Sequence, residues 1–173
     1  MSGAGEDLCR ALATPERARS VVAELVGPTL DFGPVPAGPG GMATATAHGR
    51  VGRLRAESLT GSLVRVTVPV GLDLDVVVGR REVPVDVTLE VRIGLRSCLA
   101  PGADEVVVEV DELGPADIDV RSRASGVGGV IVRRLGDLDN EIRHHVIRWV
   151  TDLLTRPEAV AARRIPVAEA DSA

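Results

Sequence analysis

From Leu63 to Arg96 aliphatic side chains fall on every second position. Val64, Val66, Val68, Val70, Leu72, Leu74, Val76 and Val78 are followed by Val83, Val85, Val87, Leu89, Val91, Ile93 and Leu95. Polar residues fill the alternate places, among them Arg65, Thr67, Asp73, Asp75, Glu82, Asp86, Thr88, Glu90 and Arg92. A period of two predicts strands with one buried and one wet face. The break at Gly79-Arg80-Arg81 predicts an antiparallel hairpin. Pairing Val78 with Val83 would face aliphatic with aliphatic throughout, and would set Asp75 against Asp86, a like-charge pair that a two-residue slip or a nearby arginine would relieve. Strands of this length would reach roughly 45–50 Å if straight, at about 3.3 Å per residue. A single small domain cannot hold them flat, so they must curl. Pro69, Gly71, Pro84 and Gly94 are the expected bend points, with both prolines on the outer face.

The flanking segments read as follows. Residues 5–27 form a helical cover, restarted by Thr14-Pro15-Glu16 as N-cap, first-turn proline and acid, and ended by Gly27-Pro28. Residues 28–41, with their Gly/Pro-rich run from Asp31 to Gly41, read as a loop. Residues 42–124 form a β-meander: a strand over 42–48, a less regular one within 50–59, the long hairpin, then Val106–Val110 and Ile118–Val120. A long amphipathic helix is expected over 130–156, with Ile131, Leu135, Leu138, Ile142, Val146, Trp149 and Leu153 as its apolar stripe and Pro157 closing it. Residues 163–168 could return as an edge strand. The fold class is therefore α+β in one domain over 1–173, a long curved half-barrel or barrel wrapped on a C-terminal helix.

Composition narrows the function. One Trp, one Phe and no Tyr leave the core to Val, Leu, Ile and Ala, a wall that grips methylenes and offers little for stacking. The net charge is −5 and every basic residue is Arg, which disfavours nucleic acid and anionic membrane surfaces. Cys9 and Cys98 stand far apart without metal-site spacing, and no apolar run approaches a membrane span. Residues 1–10 lack the basic and apolar regions of a signal peptide, so a cytoplasmic protein without stable membrane insertion is expected.

No segment states a chemistry outright. Asp31-Phe32-Gly33 copies a kinase tripeptide without the accompanying loops. Gly126–Gly129 before the helix lacks the lysine and spacing of a phosphate loop, and reads as a hinge. Glu141 and His144 have the i, i+3 spacing of a carboxylate-bridged metal helix, but no second copy exists and both point away from the apolar stripe. No metal or cofactor is expected. His145 borders the stripe and is the one candidate for proton transfer or hydrogen bonding to a ligand, against the plainer reading of a backbone-satisfied boundary histidine. Trp149 reads equally as cavity floor or largest core residue.

The alternating runs Val64–Val78 and Val83–Leu95, with the helix Val130–Thr155, together resemble the tubular lipid-binding (TULIP) superfamily, nearest its small bacterial and synaptotagmin-like mitochondrial modules. The resemblance spans about residues 14–168 and implies a half-barrel with an aliphatic groove for lipid chains. No signal peptide or membrane anchor is expected from the chain's pattern, so the export and membrane-contact roles of that superfamily are not expected here. The expected function is binding of a hydrophobic small molecule, an acyl or polyketide-like chain. Its wall would be Val68, Val70, Leu72, Leu74, Val87, Leu89, Val91, Ile142, Val146 and Trp149. Two other classes fit the same pattern. A cofactor-independent cyclase would fold a polyene by shape, and a structural homodimer would bury the broad helix arc without any ligand.

Overall fold

The computed structural model describes residues 7, 9–11, 13–100, 102, 105–124, 129–130 and 137–166. In chain order the elements are α1 (Pro15–Val26), β1 (Thr29–Ala37), a 3₁₀ turn (Pro39–Gly41), β2 (Ala43–Val51), β3 (Arg55–Ser58), β4 (Leu63–Val78) and β5 (Arg81–Leu99). After them come β6 (Glu105–Val110), β7 (Ile118–Arg123), α2 (Leu138–Thr155), α3 (Pro157–Ala162) and β8 (Arg164–Pro166). One antiparallel sheet runs β1-β2-β4-β5-β6-β8, with β3 also on β4 and β7 also on β5. The sheet curls strongly into a half-barrel, and α1 and α2 pack on its inward face.

The long hairpin carries the architecture. Its inward row, Val64 to Val76 and Val83 to Leu95, is buried throughout, with Val66 and Val76 at 0% exposure. Each such side chain removed from water stabilises the fold by about 1.5–3 kcal/mol. Pro69 and Pro84 sit on the outer side of the pleat, where their missing N–H does least harm.

Four expectations are corrected. The hairpin register is shifted by two: Val76 faces Val83 and Val78 faces Arg81. The cause is the turn, which uses only Gly79 and Arg80, with Gly79 at φ 61° in the left-handed region that a two-residue hairpin loop reserves for glycine. Asp75 consequently faces Pro84, and the like-charge pair moves to Asp73 and Asp86. It is flanked by His48 beside Asp73 and by the cation of Arg123 beside Asp86.

Second, 28–41 is no loop. Residues 29–37 form strand β1 on the free edge of the sheet, paired to β2. A bulge between Phe32 and Val35, containing the cis Gly33–Pro34 bond, skips two residues so that Leu30, Phe32, Val35 and Ala37 all face inward. Third, the strands after β5 do not continue a simple meander: β6 pairs with residues 95–99 of β5 and β7 with residues 86–91 on the same side. The other flank of the hairpin is built likewise, β2 on residues 70–78 of β4 and β3 on residues 64–67. Fourth, α2 begins at Leu138, not at residue 130, because Asp137 leaves helical geometry and caps it, accepting the Asn140 amide at 3.1 Å. Ile131 and Leu135 lie outside the described residues.

The cover helix α1 is capped by Thr14 and ends at Gly27, φ 74°. Its Val22 joins the core shared by the sheet and by Leu138, Ile142, Val146 and Val150 of α2. No helix among the described residues is long and apolar enough to cross a membrane.

Candidate ligand-binding groove

Helix α2 is fastened to one lip of the half-barrel. Arg143 Nε donates to the Ile118 carbonyl of β7 at 3.1 Å, and the Ser122 hydroxyl of β7 donates to Asp139 at 2.5 Å. Toward the other lip, formed by β1, the polar tie among the described residues is at one end, where the Gly38 amide donates to Glu141 Oε2 at 3.0 Å. Between that tie and the aromatic contact of Phe32 with Trp149, a groove of about 410 Å³ separates α2 from β1 and β2. This lies within the usual range of small-molecule sites, about 300–1,000 Å³.

The groove exists because the inward face of β2 is small. Ala43, Ala45, Ala47 and Gly49 occupy its inward positions in succession. Ala45 and Ala47 form the floor, with Leu72 and Leu74 of β4 beside them and Val35, Pro36 and Ala37 at the β1 lip. Gly49 leaves no spare room, since a Cβ there would come within 2.6 Å of a Leu72 methyl and 3.2 Å of Leu30. Helix α2 contributes Leu138, Ile142, Val146 and Trp149, and presents Glu141, His145, Arg148 and Asp152 along its rim.

The rim has one defined polar relay. Arg148 Nη2 donates to His145 Nδ1 at 3.0 Å, which places the histidine proton on Nε2. Burial first, then the neighbouring Arg148 guanidinium and His144, hold the imidazole below the usual histidine range, against an opposite pull from Glu141. His145 is therefore neutral at pH 7 and offers one N–H donor at the groove edge.

Deeper in the half-barrel the packing closes. A second space of only about 30 Å³ is lined by Val68, Val70, Leu89 and Val91 with Leu72, Val146, Trp149 and Phe32. That is about the room of one water. The ten expected wall residues thus divide: Leu72, Leu74, Ile142, Val146 and Trp149 reach the groove, whereas Val68, Val70, Leu89 and Val91 pack around the small cavity. Val87 is 1% exposed and lines neither space. Among the lining residues not anticipated are Phe32, Val35, Pro36, Ala37, Ala45 and Ala47. The alternation of small residues over 43–49 was the available signal for the last two.

The other candidates are placed as follows. Glu141 is bound to the Gly38 amide, and His144 Nδ1 pairs with the Asn140 carbonyl of its own helix at 2.8 Å, so they do not converge on one point. Among the described residues no group of three or more His, Cys, Asp and Glu could hold a metal ion. On the outer face of the sheet, His48 of β2 binds its cross-strand partner Asp31 of β1 at 2.8 Å in an exposed pair. Cys9 and Cys98 are both reduced thiols. Compared with known proteins, the chain matches no family model and no curated sequence.

Proposed function

We propose that the protein binds a hydrophobic small molecule, an acyl or polyketide-like chain, in the groove between β1, β2 and α2, in the manner of the tubular lipid-binding proteins. The observation that carries this reading is the groove of about 410 Å³ over an alanine floor. An apolar trough of this size beside a closed core is costly to leave to water, and burying a ligand methylene there stabilises the complex by about 0.8 kcal/mol. The open β1 lip admits the chain from the side, and the His145 Nε2–H and the Arg148 guanidinium offer donors to a polar end at the rim.

The test is extraction of the purified protein with organic solvent and mass spectrometry of what is released. The reading expects an aliphatic compound in stoichiometric amount, and its loss from an Ala47→Phe variant that fills the floor. A protein that carries nothing and takes up no added chain contradicts it.

A further inference from the structure

At the far end of the half-barrel from the groove lies another cavity, of about 130 Å³, between the start of α1, the ends of β4 and β5, β6 and β8. Its walls are mostly aliphatic, including Val21, Val64, Leu95 and Val110, and the polar residues among those described are Thr14, Arg17, Ser97 and Arg163. Ser97 occupies an inward strand position that the pattern of β5 otherwise gives to aliphatics, and it is the one buried polar residue among those described, 7% exposed. Its amide bonds the Ser62 carbonyl, whereas its hydroxyl, which borders the cavity, has no hydrogen-bond partner among the described residues. This leaves the hydroxyl able to bond a group that enters the cavity.

Two arginines line the same space, and among the described residues no carboxylate does. Arg163 spends Nε on the Ala159 carbonyl at 3.2 Å and one Nη2 proton on Leu154 at 2.9 Å, which leaves three donors of its five. Arg17 forms no ion pair among the described residues. It stands in the first turn of the 12-residue α1, whose positive end reaches the cavity through Thr14 and Ala18. Glu16 of that turn is exposed and does not line the cavity.

We infer that this end cavity is a carboxylate-binding site, in which Arg17 and Arg163 take the anion, the Ser97 hydroxyl donates to it, and the aliphatic wall holds a short hydrocarbon stub. The chemistry follows from planar guanidinium forks, which match a carboxylate in charge and geometry. The same head group could arrive on a free short acid or on a longer chain, since the small cavity shared by Val22, Leu25 and Leu154 lies between this site and the groove.

The experiment is NMR titration of the full chain with butanoate against butanol and dodecanoate against dodecanol, in wild type, Ser97→Ala and Arg17→Gln. Both substitutions leave the Arg163 carbonyl bonds in place, and a thermal melt verifies the fold. The expected result is an acid at least about tenfold tighter than its alcohol, with the ratio falling near one in both variants while alcohol affinity is unchanged. Preference confined to butanoate identifies a site for free short acids, and preference confined to or shared by dodecanoate identifies the head of a long chain. Acids no tighter than alcohols, or a preference that survives both substitutions, overturn the site. Failure of the groove reading is a separate result, namely dodecanol that does not bind at all.

Discussion

Phe32 and Trp149, the only aromatic residues of the chain, meet edge to face with ring centroids 5.5 Å apart and planes at 82°. One comes from the edge strand β1 and the other from α2, so this contact ties the open lip of the half-barrel to its helix. Edge-to-face pairs contribute about 0.5–1.5 kcal/mol beyond the area they bury. A double-mutant cycle of Phe32→Leu and Trp149→Leu, followed by urea unfolding, should return a coupling energy in that range.

The opposite lip is held by hydrogen bonds rather than rings. Arg143→Ala removes the donor to the Ile118 carbonyl and should cost about 1–3 kcal/mol. Amide hydrogen exchange should accelerate first in the early turns of α2 and in β7, with the central hairpin unaffected. Uniform acceleration would show that α2 is not separately clasped.

Asp73 and Asp86 give a test of the register. They are cross-strand neighbours on the wet face, and like charges so placed are destabilising. Asp86→Asn should leave the protein equally stable or stabilise it by about a few tenths of a kcal/mol, less at high salt. Asp75→Asn, opposite Pro84, should show no such gain.

The pH dependence of His145 has a definite sign. Its folded-state pKa lies below the unfolded value, so the neutral form contributes stability that is present above about pH 6.5. That contribution is lost as pH falls through the folded pKa. Wild type minus His145→Gln stability, measured by urea titration from pH 7.5 down to about 5, should therefore decline toward acid. The groups facing the imidazole, Arg148, His144 and Glu141, stay the same in both proteins.

The long hairpin was legible because alternation over more than thirty residues admits one reading, and the curl followed from length alone. Its register was not, because the inward rows match equally well two residues apart; the backbone freedom of Gly79 decides between them. β1 was hidden by Gly33, Pro34 and Pro36. Those residues would break an interior strand, but an edge strand with a bulge tolerates them. Losing β1 meant losing Phe32, and with it the lip of the groove. The helix face was readable from its stripe, whereas the start of α2 turned on whether Asp137 would cap or continue a helix, which a periodicity cannot tell. Small residues are the other blind spot. Ala45 and Ala47 matter for the space they leave, and that space exists only once Leu72, Leu74 and α2 are set around it.

The most direct test of the groove is a titration with 1-dodecanol followed by the emission of Trp149, the single tryptophan, which lines that groove. A saturable one-to-one shift in wild type, weakened at least about tenfold by Ala47→Phe, is the predicted result. An unchanged emission spectrum, or equal binding by the filled variant, would contradict it.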